Sequence, residues 1–349
     1  MSWHAIWSEG RVLKAPQAFS DAPLRSMTLW LELSGPRRPL TKRGRAQPRQ
    51  VPLRLWRGMS TDPGKAITIY LMPDNALRLV HGDIDLMSAP NMMRTGETVG
   101  LRYVTCAEGR NDTFDVTNFD QGRTQSLRAG LAHLATMAEA CPAAEGYLKV
   151  AHIAAVAPDL VPATDLPGVE SGAIIATDQG PRPVDALQAG DMLLDASGEA
   201  HPLRWIEARP RLCMGRNAPM RLRAPYFGLA RDLIVTPQTR ILQTGPVVDY
   251  LCGTDAVLAQ VGDLANGRAV FRDRHQAVRT FYHMMLDDPA CILVENCPIE
   301  TAHLGDVMAL GDPNLAQAAD PSDSDLTPSL PLLDRASARA LLTANSRAA

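Results

Sequence analysis

The stretch from Gly172 to Glu207, GAIIATDQGPRPVDALQAGDMLLDASGEAHPLRWIE, restricts what this chain can fold into more than any other. It opens on the apolar run Ala173 to Ala176, closes it at Thr177, and turns through Asp178-Gln179-Gly180-Pro181. Val184 to Leu187 comes next, then Gly190-Asp191 leading into Met192 to Leu194. The tight turn Ser197-Gly198 and the run Leu203 to Ile206, with Trp205, complete it. Short runs rich in Ile, Leu and Val, cut by Gly, Pro and Asp, read as antiparallel strands and not as helices.

Two later blocks share this character: Asp232 to Leu242 (DLIVTPQTRIL), and Tyr282-His283 through Glu300. Taken in order, the three blocks resemble the Hint domain of hedgehog C-terminal domains, inteins and many bacterial proteins. GAIIAT and RPVDALQAGDMLL are similar to its G-T-x-I-x-T and P-V-E-x-L-x-x-G-D-x-V-L runs. VTPQTR is similar to the S/T-P-Q-H-R strand end of bacterial members, and the last block to their Y-H-x-x-L…G-x-x-x-E-S ending. The resemblance covers about Pro167 to Leu310.

The resemblance implies a self-cutting chemistry. A Cys or Ser at the domain's N-terminal edge attacks the preceding carbonyl and turns the amide into a thioester or ester. An amide is planar and resonance-stabilised, so the step needs a nucleophile and a proton donor at the departing nitrogen, usually the His of a T-x-x-H motif. Positioned acid–base help is typically worth about 10²–10⁴ in rate. Four residues before Gly172 stands Gly168, which has no side chain to attack with. The T-x-x-H position reads Thr236-Pro237-Gln238-Thr239, a hydroxyl where the family has an imidazole that exchanges protons near neutrality. Ser171 lies an odd three residues from Gly168 and, in extended chain, faces the other way. Where relatives carry a second late histidine, this chain has Asp288-Pro289. His283, beside Tyr282, is the candidate surviving imidazole. Asp191 and Glu300 read as a turn cap and a buried, hydrogen-bonded glutamate. The expectation is a Hint fold that has lost self-cleavage and acts as a structural or interaction module. The alternative is autoprocessing near Pro167–Gly168 by a substitute group, with His283 assisting.

Chain length of 349 suggests two domains, and a 46% hydrophobic composition suffices for a substantial core. Residues 1–156 carry strand-like runs at Met27 to Leu33, Val51 to Trp56 (Leu53 and Leu55 on one face, Arg54 on the other), Ala66 to Leu71, Leu77 to Val80 and Val99 to Cys106. Pro73-Asp74-Asn75-Ala76 makes a turn between two of them. This spacing predicts a β-sandwich or barrel, and the segment is weakly similar to the jelly-roll, concanavalin-like sandwiches that often precede bacterial Hint domains. Leu127, Leu131, Leu134 and Met137 share one helical face, predicting a short helix over 124–140. Trp30 and Trp56 are the candidates for a glycan-stacking platform and, lying in apolar runs, fit a core better. The basic run between Arg37 and Arg49 is interleaved with Pro and Gly but not with aromatics, so it reads as a solvated loop.

Residues 157–167, with Pro158, Pro162 and Pro167, form the expected linker. The Hint module is expected over 168–310, with Asn266-Gly267 as a hairpin turn joining Val261–Leu264 to Arg268–Phe271. Over 311–349 a polar linker (Asp320 to Asp325) gives way to a tail helix marked by Leu332, Leu333, Ala336 and Ala340. The fold class is therefore mainly β: a sandwich followed by an all-β Hint horseshoe.

A net charge of −3 argues against a nucleic-acid partner, and no apolar run reaches the length of a membrane span. The N-terminus lacks signal-peptide features, which leads to an expectation of a cytoplasmic protein, or one exported by a route that leaves no N-terminal mark. Six scattered cysteines read as reduced packing thiols. None of the eight histidines forms H-x-x-x-H or H-E-x-x-H, so no metal or cofactor is expected. The partner left open is a protein or a glycan.

Overall fold

A computed structural model describes residues 3–15, 22–37, 49–60, 62, 64–106, 112–130, 133–143, 150–162, 165–310 and 326–348. The chain divides into two compact units, Met1–Ala163 and Thr164–Ala349. Most of the basic run (38–48) and the polar stretch Asp320 to Asp325 lie outside the described residues.

In the first unit seven antiparallel strands run in the order Arg123–Arg128, Thr113–Asn118, Thr98–Cys106, Ser26–Ser34, Ala151–Ala157, Ala5–Ser8, Arg11–Lys14. A second sheet contains Leu53–Arg57, Thr68–Leu71, Leu77–His81 and Ile84–Met87. Met27, Leu29, Leu31 and Leu33, at strand period, meet Ile67, Ile69, Leu77 and Leu79 of the other sheet in one core. Each such side chain stabilises the sandwich by roughly 1.5–3 kcal/mol on leaving water.

Two expectations for this unit need correction, and the core reading of Trp56 agrees with its burial. Leu53 does not share the buried face of Leu55: a bulge between Arg54 and Trp56 breaks the alternation, leaving Leu53 exposed and both Leu55 and Trp56 buried. The helix expected over 124–140 does not form at its start, where 124–128 are strand, because Leu127 pairs with Phe114 and cross-strand bonding overrides the Leu spacing. Helix is confined to Met137–Ala140, where Thr136 and Glu139 close a capping box; Leu134 is exposed and Leu131 lies outside the described residues. Trp56 is no surface platform: it is buried and donates through Nε1 to the Ala140 carbonyl at 3.1 Å.

The second unit contains two further sheets. One runs Met192–Leu194, Ala200–Leu212, Val278–Leu286, Val169–Glu170, Leu233–Val235, Met220–Leu222, Val270–Arg272. The other runs Arg182–Pro183, Ile174–Ile175, Cys291–Val294, Cys297–Glu300, Arg240–Thr244, Ala256–Gln260. Gly172 enters the second sheet at φ +81°, a left-handed conformation that side chains resist. Val184–Ala186 and Val261–Leu264 are 3-10 turns, not the strands their apolar residues suggest. Asn266 and Gly267 do turn the chain, and the Asn266 side chain caps the amides of Arg268, Ala269 and Val270. The module is not purely β, for Pro246–Cys252 and Leu304–Leu310 are helical.

The tail helix, Arg335–Ala348, begins at Asp334, whose carboxylate accepts from the Ser337 amide at 2.7 Å. It packs through Ala338 and Leu341, while Ala336 and Ala340 are exposed, so the apolar face is offset from the one the sequence marks.

Candidate functional site

Val169 pairs with Val235 on one side and with Tyr282 on the other. The dipeptide before it, Pro167–Gly168, is thereby placed between the TPQT turn and the strand carrying His283. The turn is local chemistry: the Thr239 amide donates to the Thr236 carbonyl at 3.1 Å across a Pro at the second position. That closure brings the two hydroxyls within 3.1 Å of each other.

Both hydroxyls serve the joint. Thr236 Oγ1 donates to the Leu166 carbonyl at 2.7 Å, and the Thr236 amide donates to the Gly168 carbonyl at 2.9 Å. Thr239 Oγ1 accepts from the Gly168 amide at 3.1 Å and donates to the Gly168 carbonyl at 3.0 Å. From the opposite strand, His283 Nδ1 lies 2.9 Å from the Pro167 carbonyl oxygen. A carbonyl only accepts, so Nδ1 carries the proton. Thr236, Thr239 and His283 are all buried. Burial pushes the His283 imidazole down to about 4, against an opposing contribution from the Pro167 carbonyl, so it is neutral at pH 7.

Gly168 lies directly against this ring. A Cβ built on it would stand 2.5 Å from His283 Nδ1 and 2.7 Å from Cε1, closer than packed atoms approach. A small cleft beside the bond is lined by Pro167, Gly168, Val169, Tyr282, Met284, Ile292, Ile299, Glu300 and Thr301, with no thiol among them. The Thr301 hydroxyl is buried and makes no hydrogen bond among the described residues.

The structure thus brings Gly168, Thr236, Thr239 and His283 around one peptide bond, and it places the remaining candidates elsewhere. Ser171 is exposed, its hydroxyl bonded to Asp185 at 2.6 Å. Asp191 caps a turn through the Gln188 amide at 2.8 Å and pairs with Arg182 at 3.0 Å. Glu300 is buried against Arg240 and accepts from the Ser329 amide and hydroxyl at 2.6 and 2.7 Å. Asp288 is exposed between two strands. Asp195, Glu199 and His201 also gather their donor atoms within 4.8 Å at a hairpin tip, where His201 Nε2 lies 3.4 Å from Asp195 Oδ2 and Asp195 Oδ1 accepts from the amides of Ser197 and Glu199. Neither the Thr236 contact with Leu166 nor the vacant hydrogen-bonding capacity of Thr301 had any signal in the sequence, since both depend on segments distant in the chain.

The family model described as the Hint domain matches residues 167–306. These residues form a Hint domain. The matched segment opens on Pro167, the residue whose carbonyl His283 holds. Among solved structures, the chain is similar to the gp41-1 intein at 8% identity, over 39% of this chain and 99% of that one, with a TM-score of 0.26. It is also similar to the MchDnaB-1 intein at 16% identity, over 38% and 98%, with a TM-score of 0.27. No curated protein matches the chain.

Proposed function

We propose that this Hint domain holds the Pro167–Gly168 joint in an assembled cradle without cutting it, and serves as a structural or interaction module. The observation that carries this reading is the His283 ring standing 2.5 Å from where a side chain on residue 168 would begin. Space that an attacking group would need is taken by an imidazole bonded to the carbonyl it would attack. Two further features point the same way. The Gly168 amide nitrogen is a donor to Thr239, whose own proton is directed to the Gly168 carbonyl, so no acid faces the leaving nitrogen. With His283 neutral, no second acid replaces it.

Intact-mass spectrometry of freshly made full-length protein is expected to give a single species at 37.8 kDa. Two fragments meeting at residue 167, formed without protease, would overturn the reading. Those fragments would support a second one, motivated by the unpartnered Thr301 hydroxyl. There Thr301 Oγ1 adds to the Pro167 carbonyl carbon, the bond to the Gly168 nitrogen breaks with the hydroxyl proton ending on that nitrogen, and water then hydrolyses the Thr301 ester, releasing the Pro167 carboxylate and restoring the hydroxyl. Thr301→Ala would then abolish the fragments.

Restoring a nucleophile is expected to fail. Gly168→Cys forces its Cβ into the His283 ring, an overpacking that costs about 1–3 kcal/mol and leaves the protein uncut. Thermal unfolding and intact mass of the variant test both halves; spontaneous cleavage would mean that the ring yields and that only the nucleophile is missing.

A further inference from the structure

The N-terminal sandwich holds a second cluster of ionisable side chains, separate from the Hint site. His81 ends a strand and is fully buried, Glu139 lies in the short helix at 5% exposure, and His133 is half-buried in the segment before that helix. One donor atom from each lies within 4.8 Å of the others, and the two imidazole rings are 4.2 Å apart.

The hydrogen bonds behind His81 decide which of its nitrogens is free. Buried Asp112 accepts from the amides of Cys106 at 3.2 Å and His133 at 3.1 Å, and from the Tyr103 hydroxyl at 3.0 Å. The Tyr103 oxygen is left to accept from His81 Nδ1 at 2.9 Å. His81 Nε2 then presents its lone pair to Glu139 Oε2 at 3.4 Å. Two acceptors facing each other in a buried site require a proton or a metal ion between them.

The spacing fits a metal. Two ligands bound at about 2.0–2.1 Å to a tetrahedral zinc stand about 3.4 Å apart. Asp112 and Tyr103 supply the outer hydrogen bonds that orient a metal-bound histidine. Gly82 makes room for the third ligand: a Cβ there would lie 3.1 Å from His133 Cε1 and 3.3 Å from Nδ1.

We propose that His81 Nε2, a ring nitrogen of His133 and Glu139 Oε2 bind one divalent transition-metal ion, Zn²⁺ by donor set, with the fourth position reached from the half-exposed His133 side. Two imidazoles and a carboxylate suit zinc, whereas Mg²⁺ and Ca²⁺ take oxygen ligands. The ion would tie strand, loop and helix together across 58 residues of chain.

The test is titration of chelator-stripped, full-length protein with Co²⁺, followed by displacement with Zn²⁺. Expected is one equivalent bound with tetrahedral d–d absorption and without a thiolate charge-transfer band. Glu139→Gln keeps an acceptor for the Thr136 amide of the capping box while removing the charge, and His133→Ala acts at the rim. Each is expected to weaken Co²⁺ binding by about tenfold or more, with circular dichroism confirming the fold. Absence of stoichiometric uptake, uptake unchanged in both variants, or a thiolate band placing the metal on cysteines would each overturn the proposal. The first result would leave a second proton on His81, an ordinary buried ion pair, as the charge in the gap.

Discussion

Lowering the pH from 7 to 4 is expected to destabilise the Hint domain by roughly 3 kcal/mol through one imidazole. His283 titrates near 4 in the folded protein, against 6.5 for an ordinary histidine, chiefly because burial disfavours its charged form. The Pro167 carbonyl and Asp165 oppose that shift, while Arg209 and Arg211 reinforce it. Between those two pH values the unfolded chain binds a proton that the folded chain does not. Stability is therefore complete above about pH 6.5, falls by about 1.4 kcal/mol per pH unit below it, and levels off below the folded value. Carboxylates titrate at the lower end of the same range, so the decisive quantity is a difference between two proteins. His283→Gln retains a donor for the Pro167 carbonyl and removes the titration. Its stability profile, read from hydrogen exchange in the Val278–Leu286 strand, should converge on that of the parent by roughly 3 kcal/mol on acidification. Parallel profiles would show that the ring is not held neutral.

Arg240→Ala is expected to cost about 3–5 kcal/mol, the largest effect of any single change considered. Arg240 is 5% exposed; its Nε bonds Glu300, and its two terminal nitrogens grip Asp306 at 3.0 and 2.7 Å. Deleting the guanidinium leaves the Glu300 carboxylate, 1% exposed, with only Ser329 as a donor among the described residues. A buried charge without its partner is far costlier than a buried pair is stabilising. Arg240→Met combined with Glu300→Met should accordingly lose much less than either partner's removal predicts by addition. Arg240→Lys should fall between, since an ammonium cannot reproduce the two-point grip on Asp306. Urea unfolding of the parent, Arg240→Met, Glu300→Met and the double variant tests this, and additive losses would refute the coupling.

How much of this was legible in advance varies with the range of the interaction. The runs around Met27, Leu77, Val99 and Ile174 announced themselves as strands, because alternation and turn residues act between near neighbours. The Leu spacing over 124–140 misled for the same reason: it is a local signal, and pairing of Leu127 with Phe114 outweighed it. At the Hint site, it was the resemblance of the three sequence blocks to the Hint family that pointed to Gly168, Thr239 and His283. That the His283 ring stands against Gly168 depends on strand pairing that brings together residues 116 positions apart. The expectation of no metal rested on spacing motifs. His81, His133 and Glu139 reach one another through the sandwich's folding, and no spacing rule records that.

By itself, then, the sequence determined that this is a chain of short strands ending in a Hint module with glycine at residue 168, since identities and near-neighbour patterns are written in the chain. Only the tertiary structure decided which group fills the space beside that glycine, and which histidines and carboxylates share a buried site. Those outcomes depend on close packing and desolvation among distant segments, and these forces arise only once the sheets have formed.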